Sequence, residues 1–197
     1  MLDQNAMRDS FHLAMSRGRE FTDDFKGGIV GFGFLELFGP TGEKKLHLPF
    51  HNLITDAGDL YYASMAIALV NPAAPAQPTK VTGMKLGTGS TAEAKAGAGG
   101  ALVTYEAGSN NLFDATFPST TNLGAGLGVT AVYKTSWAAG DVTETALREA
   151  VIVNDAATDA TSTAANTISR VVFAAVDKQA GDALAITWSH KFLGAAA

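Results

Sequence analysis

The side chains best able to do chemistry are four histidines, His12, His47, His51 and His190, and the carboxylates Glu144, Glu149, Asp155 and Asp159. His47 and His51 stand four apart, a spacing that on a helix would bring two imidazoles together for a zinc ion. Here Pro49 lies between them in a strand-like context, so the rings need not converge and no metal is expected. Glu144 and Glu149 are a candidate acid–base pair, one to give a proton and one to take it. Arg148 is a ready ion-pair partner for them, and no cleft pattern surrounds them. Asp155 and Asp159 offer oxygen ligands for calcium without the ordered spacing of a calcium loop. The chain has no cysteine, which removes zinc–thiolate sites, disulfides and thiol nucleophiles. It also has no G-x-S-x-G nucleophile turn. The glycines of GGIVGFGF and GAGLG have the wrong spacing for phosphate-binding loops. The first set lies within a strand, where glycine marks a bulge or a close backbone approach. The expectation is a protein that is not an enzyme and carries no cofactor.

The elements that would position these groups are mostly strands. In Ala183–Leu193, Leu184, Ile186, Trp188, His190 and Phe192 alternate with Ala185, Thr187, Ser189 and Lys191, the period of a half-buried strand. The preceding run, from Ile168 to Val176, is apolar on both faces. The turn Asp177–Asp182 joins the two, so they are expected to form the central hairpin of a β-domain. His190 beside Trp188 is then a hydrogen-bonded core or interface histidine.

Elsewhere, Ile29–Phe38 and Lys45–Phe50 read as a hairpin about the turn Gly39–Lys44. Asp56–Val70 reads as the clearest helix, capped by Thr55 or Asp56. Its Leu60, Ala63, Ser64 and Ile67 share one face, and Tyr61, Met65 and Ala68 a neighbouring one; such a stripe packs on a sheet. The proline-rich Asn71–Thr79 ends it. Val81–Leu86, Val129–Trp137 and Ala146–Asn154 are further strands. Residues 91–128 are expected to form long loops with one or two short strands, and 154–166 a mobile polar loop. The expected architecture is mainly β, an antiparallel jelly-roll-like β-sandwich over 28–197 with one helix near 56–70. Residues 1–27 form an amino-terminal arm, a short helix capped at Asp9 or Ser10 followed by a charged, extended connector.

Composition bounds the partners. The chain has 197 residues and a net charge of -5 without blocks of like charge, which disfavours a nucleic-acid groove. No segment reaches the ~20 apolar residues of a membrane helix, and the first residues do not read as a signal peptide. Charged residues make up 17% of the chain, against about 25% in typical soluble domains. A surface this poor in charge suits a protein covered by neighbouring subunits.

Four stretches, in this order, resemble a group of tailed-bacteriophage virion proteins. They are HNLITDAGDLYYASMA (His51–Ala66), MKLGTGST (Met84–Thr91), TALREAVIVND (Thr145–Asp155) and RVVFAAVDKQAGDALAITWSHKF (Arg170–Phe192). The resemblance spans most of residues 29–194 and rests on the order of the stretches. It implies a capsid decoration (cement) protein or a tail appendage, typically a homotrimer of β-sandwiches, located in the virion. For a decoration protein the partners would be the major capsid protein and further copies of the chain, without nucleic acid or membrane. Expected subunit or capsid contacts are Phe11, Met15, Arg17, Arg19, Phe21 and Phe25 in the arm, with Trp188 and His190. The alternative is a tail, baseplate or tail-fibre component binding host glycans through Tyr105, Phe113 or Trp137.

Overall fold

The computed structural model describes residues 28–70, 79–124 and 127–193, so the arm and its six candidate contacts lie outside the described residues. Nine strands form one curled antiparallel sheet: β1 (Gly28–Phe38), β2 (Lys44–Ile54), β3 (Gly83–Gly87), β4 (Asn111–Leu112), β5 (Ser119–Asn122), β6 (Val129–Trp137), β7 (Glu144–Val153), β8 (Thr167–Lys178) and β9 (Ala183–Leu193). Their order across the sheet is β4-β3-β7-β8-β2-β1-β9-β6-β5. Helix α1 spans Asp56–Val70, the expected range.

The β1–β2 hairpin forms as the turn residues predict, with Gly42 at φ +84°. β2 runs four residues beyond the expected Phe50 because it serves two partners. Its body pairs with β1, and its last residues, Leu53 and Ile54, pair with Arg170 and Ser169 of β8. β2 is therefore the corner at which the sheet curls.

The closing hairpin is corrected. β8 and β9 follow each other through a four-residue turn but are not paired. β8 lies between β7 and β2, and β9 between β1 and β6. The link between them is an arch from one half of the curl to the other, as is the link from β6 to β7. The two arches touch: Gly140 N donates to Ala180 O (2.7 Å), and Lys178 Nζ donates to the carbonyls of Ala138 (3.2 Å) and Asp141 (2.5 Å). The Asp182 carboxylate, held by Lys45 (2.9 Å), fixes the β8–β9 arch to the start of β2.

The alternation within the strands holds. Leu184, Ile186, Trp188 and His190 are all buried, as are Tyr133, Thr135 and Trp137 of β6. They meet Leu35 and Leu37 of β1 and, from the other half, Met84, Leu86, Ile152 and Val171 in one core. Burying each large apolar side chain contributes about 1.5–3 kcal/mol. Gly31 and Gly33 of β1 point into this core. A Cβ on Gly33 would strike the Thr187 carbonyl and the Phe50 ring, which packs edge-on against Trp188 at 5.2 Å. This is the close approach that the sequence suggests.

Helix α1 begins at a Thr55 cap: Oγ1 accepts from Gly58 N (3.0 Å) and donates to Thr167 O (2.5 Å). Of the two expected faces, the one with Tyr61 and Met65 turns inward, joined by Gly58 and Tyr62. Leu60 is 67% exposed, whereas Gly58 is buried and Tyr61, Tyr62 and Met65 are half-buried. The helix is apolar almost all round, so its pattern does not choose a face, and the two tyrosines offer more area to bury than Leu60. Gly58 sits against the Ile168 carbonyl, where a Cβ would collide. Gly58→Ala, which in an exposed helix would gain about 1 kcal/mol, is therefore expected to destabilise by about 1–3 kcal/mol. Urea unfolding checks the sign: a stabilised variant would refute the close contact.

Candidate functional site

The most concentrated polar chemistry lies on the outer side of β3, β7 and β8, beneath the loops after β3 and β7. Glu149 and Arg170 occupy facing strands, and both are fully buried. Arg170 Nε and Nη2 reach Glu149 Oε2 at 3.1 and 2.7 Å. Nη2 also donates to Thr91 O (2.9 Å), and Nη1 to Gly99 O (3.1 Å) and Ala92 O (3.3 Å). All five guanidinium protons are thus used. Glu149 Oε1 accepts from Gly89 N (3.0 Å), Val103 N (3.1 Å) and Thr104 N (2.9 Å). The expected partner, Arg148, is replaced by Arg170, because side chains adjacent in a strand point to opposite faces. With both groups saturated, the pair has no lone pair or proton to offer a substrate. It ties residues 89–104 to the sheet.

Two further buried cations work in the same way. Lys85 is fully buried and binds Ala160 O (2.9 Å) and Asp155 (3.0 Å). Lys178 is fully buried among arch carbonyls, and burial pulls its pKa below the usual lysine range. Asp159 accepts from the Tyr105 hydroxyl (2.6 Å) and Gly108 N (2.9 Å). Both candidate calcium carboxylates are therefore engaged within the chain, and the loop 154–166 is anchored at several points. Glu144 accepts from Ala146 N (2.9 Å) at the start of β7 and shares no partner with Glu149.

The histidines do not converge. His47 and His51 share a face of β2, where four residues of extended chain separate them by about 13 Å. His47 lies 3.2 Å from Glu36 and stacks on Phe34. His51 is exposed and lines a shallow recess with Asn52, Leu53 and Glu93. Among the described residues, no group of three or more His, Asp or Glu is placed to hold a metal. No described helix is long and apolar enough to cross a membrane.

His190 and Trp188, expected as subunit contacts, are corrected. Both are 0% exposed inside this chain, so neither can meet a partner in this fold. His190 Nδ1 meets the Tyr62 hydroxyl, which also meets the Tyr133 hydroxyl at 2.8 Å. Burial pulls the imidazole pKa down to about 3 and pushes that of Tyr133 up to about 12. Trp137, a candidate glycan platform, is also buried, with Nε1 donating to Ser109 O (2.8 Å). Phe113 is half-buried against Tyr133, and Tyr105 against the small cluster of Leu102, Val151 and Val153.

The outer face of the other half was not apparent from the sequence. Phe32, Phe34, Glu36 and Phe38 point outward from β1, between Pro49 and His47 of β2 and Ala183, Ala185, Thr187 and Ser189 of β9. Among the described residues no element packs across this face, and Phe32 is 38% exposed. The available signal was that β1 carries Gly31 and Gly33 on one face and its phenylalanines on the other. Comparison of the chain with models of known families, curated sequences and solved structures finds no match.

Proposed function

We propose that the protein is a structural component of a tailed-phage virion: a homotrimeric decoration protein that binds the major capsid protein and holds the DNA-filled shell by many non-covalent contacts. The two halves of the curled sheet serve as the layers of a jelly-roll-like sandwich. The observation that carries this reading is the distribution of polarity. The ionic groups best suited to chemistry, Glu149, Arg170, Lys85 and Lys178, are buried and saturated by the chain's own atoms. The accessible β1–β9 face instead presents phenyl, methyl and hydroxyl groups. An enzyme keeps polar groups free in a cleft, whereas a scaffold protein spends them on rigidity and leaves surface for neighbours. Anything that binds only the assembled shell stabilises it by mass action. The order of the four phage-like stretches supports the same reading.

Quantitative mass spectrometry of particles from a host carrying this gene tests it. Hundreds of copies per particle are expected. A handful would place the protein in the tail, and none would overturn a virion role.

A further inference from the structure

We infer that the outer face of β2, β1, β9 and β6 is a self-association surface whose occupant is a second copy of this chain. The strand register places side chains on this face in rows: His51–Phe32–Ser189–Val132, Pro49–Phe34–Thr187–Lys134 and His47–Glu36–Ala185–Ser136, closed by Lys44–Phe38–Ala183. Down the columns, β1 makes a ridge of phenylalanines broken only by Glu36. Its neighbour β9, about 4.8 Å away, makes a trough of Ala, Thr and Ser. Ridge and trough are therefore adjacent and run the same length. When two copies face each other about an axis between β1 and β9, each ridge lies over the other's trough, an isologous contact that needs no second kind of surface. A solvated antiparallel face would instead carry polar side chains opposite its buried ones.

Charge fits the same occupant. The ridge's single carboxylate, Glu36, is already met by Lys44 (2.5 Å) and His47 (3.2 Å), which hold its pKa below the usual range against the opposing effect of burial. Lys134 lies within reach of Asp114 (3.6 Å). The centre of the face thus presents no uncompensated charge to a like copy. In area, four strands by four rows cover about 20 × 24 Å, so two copies bury on the order of 1,000 Å² in total. That is the low end of specific interfaces, and it matches association at about 1–100 µM.

The inference shares with the proposed function only that the chain self-associates, and not the location in a virion. The contact is two-fold, joins copies in pairs and is separate from the three-fold contacts of a trimer. Sedimentation of the full chain between about 1 and 100 µM tests it. The wild type is expected to shift with concentration to a mass of two or more copies. Phe32→Ser/Phe34→Thr removes the ridge and Ala185→Arg blocks the trough; either is expected to weaken association at least tenfold while thermal unfolding stays cooperative. If the wild type associates and both variants do too, the face is wrong while self-association stands. If the wild type stays monomeric to 100 µM, self-association itself fails, whatever the particle count shows. A monomer that associates only after residues 1–27 are removed would name that segment as the occupant and overturn the second-copy assignment.

Discussion

Arg170→Met is expected to cost about 3–5 kcal/mol of folding stability, because it leaves the Glu149 carboxylate buried without its cation. In a chain of this size that lowers the melting temperature by roughly 6–20 °C. Glu149→Gln should be similarly damaging for a different reason. The Arg170 cation would keep its three carbonyls but lose the anion, and the amides of Gly89, Val103 and Thr104 would share one weaker acceptor. The double variant removes both charges, so its loss should fall short of the sum by at least about 2 kcal/mol. Urea unfolding of the four proteins measures this coupling. Additivity within about 0.5 kcal/mol would mean that the two groups do not stabilise one another. Amide exchange across 89–104 should quicken in every variant, since this pair holds that segment to the sheet.

The second large effect is a loss of stability on mild acidification that originates at His190. Its folded pKa, about 3, lies below the usual value of 6.5, so between those values the unfolded chain takes up a proton that the folded chain refuses. Stability is complete above pH 6.5 and falls as the pH drops towards 3, by about 1.4 kcal/mol per unit. From pH 7 to pH 4.5 this amounts to about 2–3 kcal/mol. The titratable groups against the imidazole are the phenols of Tyr62 and Tyr133, which remain neutral throughout this range. Asp182, Glu36 and Asp159 have lowered pKa values, so their stabilising effects disappear only below about pH 4. Glu106, whose pKa burial raises, acts in the opposite direction. His190→Phe should flatten the stability profile between pH 6.5 and 4.5. An unchanged slope would show that the proton goes elsewhere.

Local pattern made much of the fold legible. Alternation marked the buried faces of β6 and β9, turn chemistry gave the β1–β2 hairpin, and α1 covers the expected Asp56–Val70. The partners of β8 and β9 were not legible, because period two says which side of a strand is buried and nothing about which strand lies beside it. Which of the two helix faces turns inward was not legible, because Leu60 and Tyr61 both read as apolar. Arg170, Lys85 and Lys178 were missed because a charge within a strand is usually solvated. Only the loops folded over β3, β7 and β8, and the arches around Lys178, supply the carbonyls that make burial tolerable. The outward phenylalanines of β1 were visible as letters, but their direction depended on how the glycines opposite them packed.

The placement of β9 also dictates the order in which the chain can fold. β9 pairs with β1 from Gly28↔Leu193 to Phe38↔Ala183 and with β6 along its whole length, so it stands in the middle of its half of the curl. It is also the last of the nine strands to leave the ribosome. Until it arrives, β1 and β6 have no common partner, and Leu35, Tyr133 and Trp137 have no Ile186 or Trp188 to pack against. In the opposite half, β7 and β8 are neighbours in sequence and can pair as soon as both are made. Until β9 is made, β1 and β6 each keep an open edge of apolar strand, the state most exposed to aggregation and to capture by chaperones.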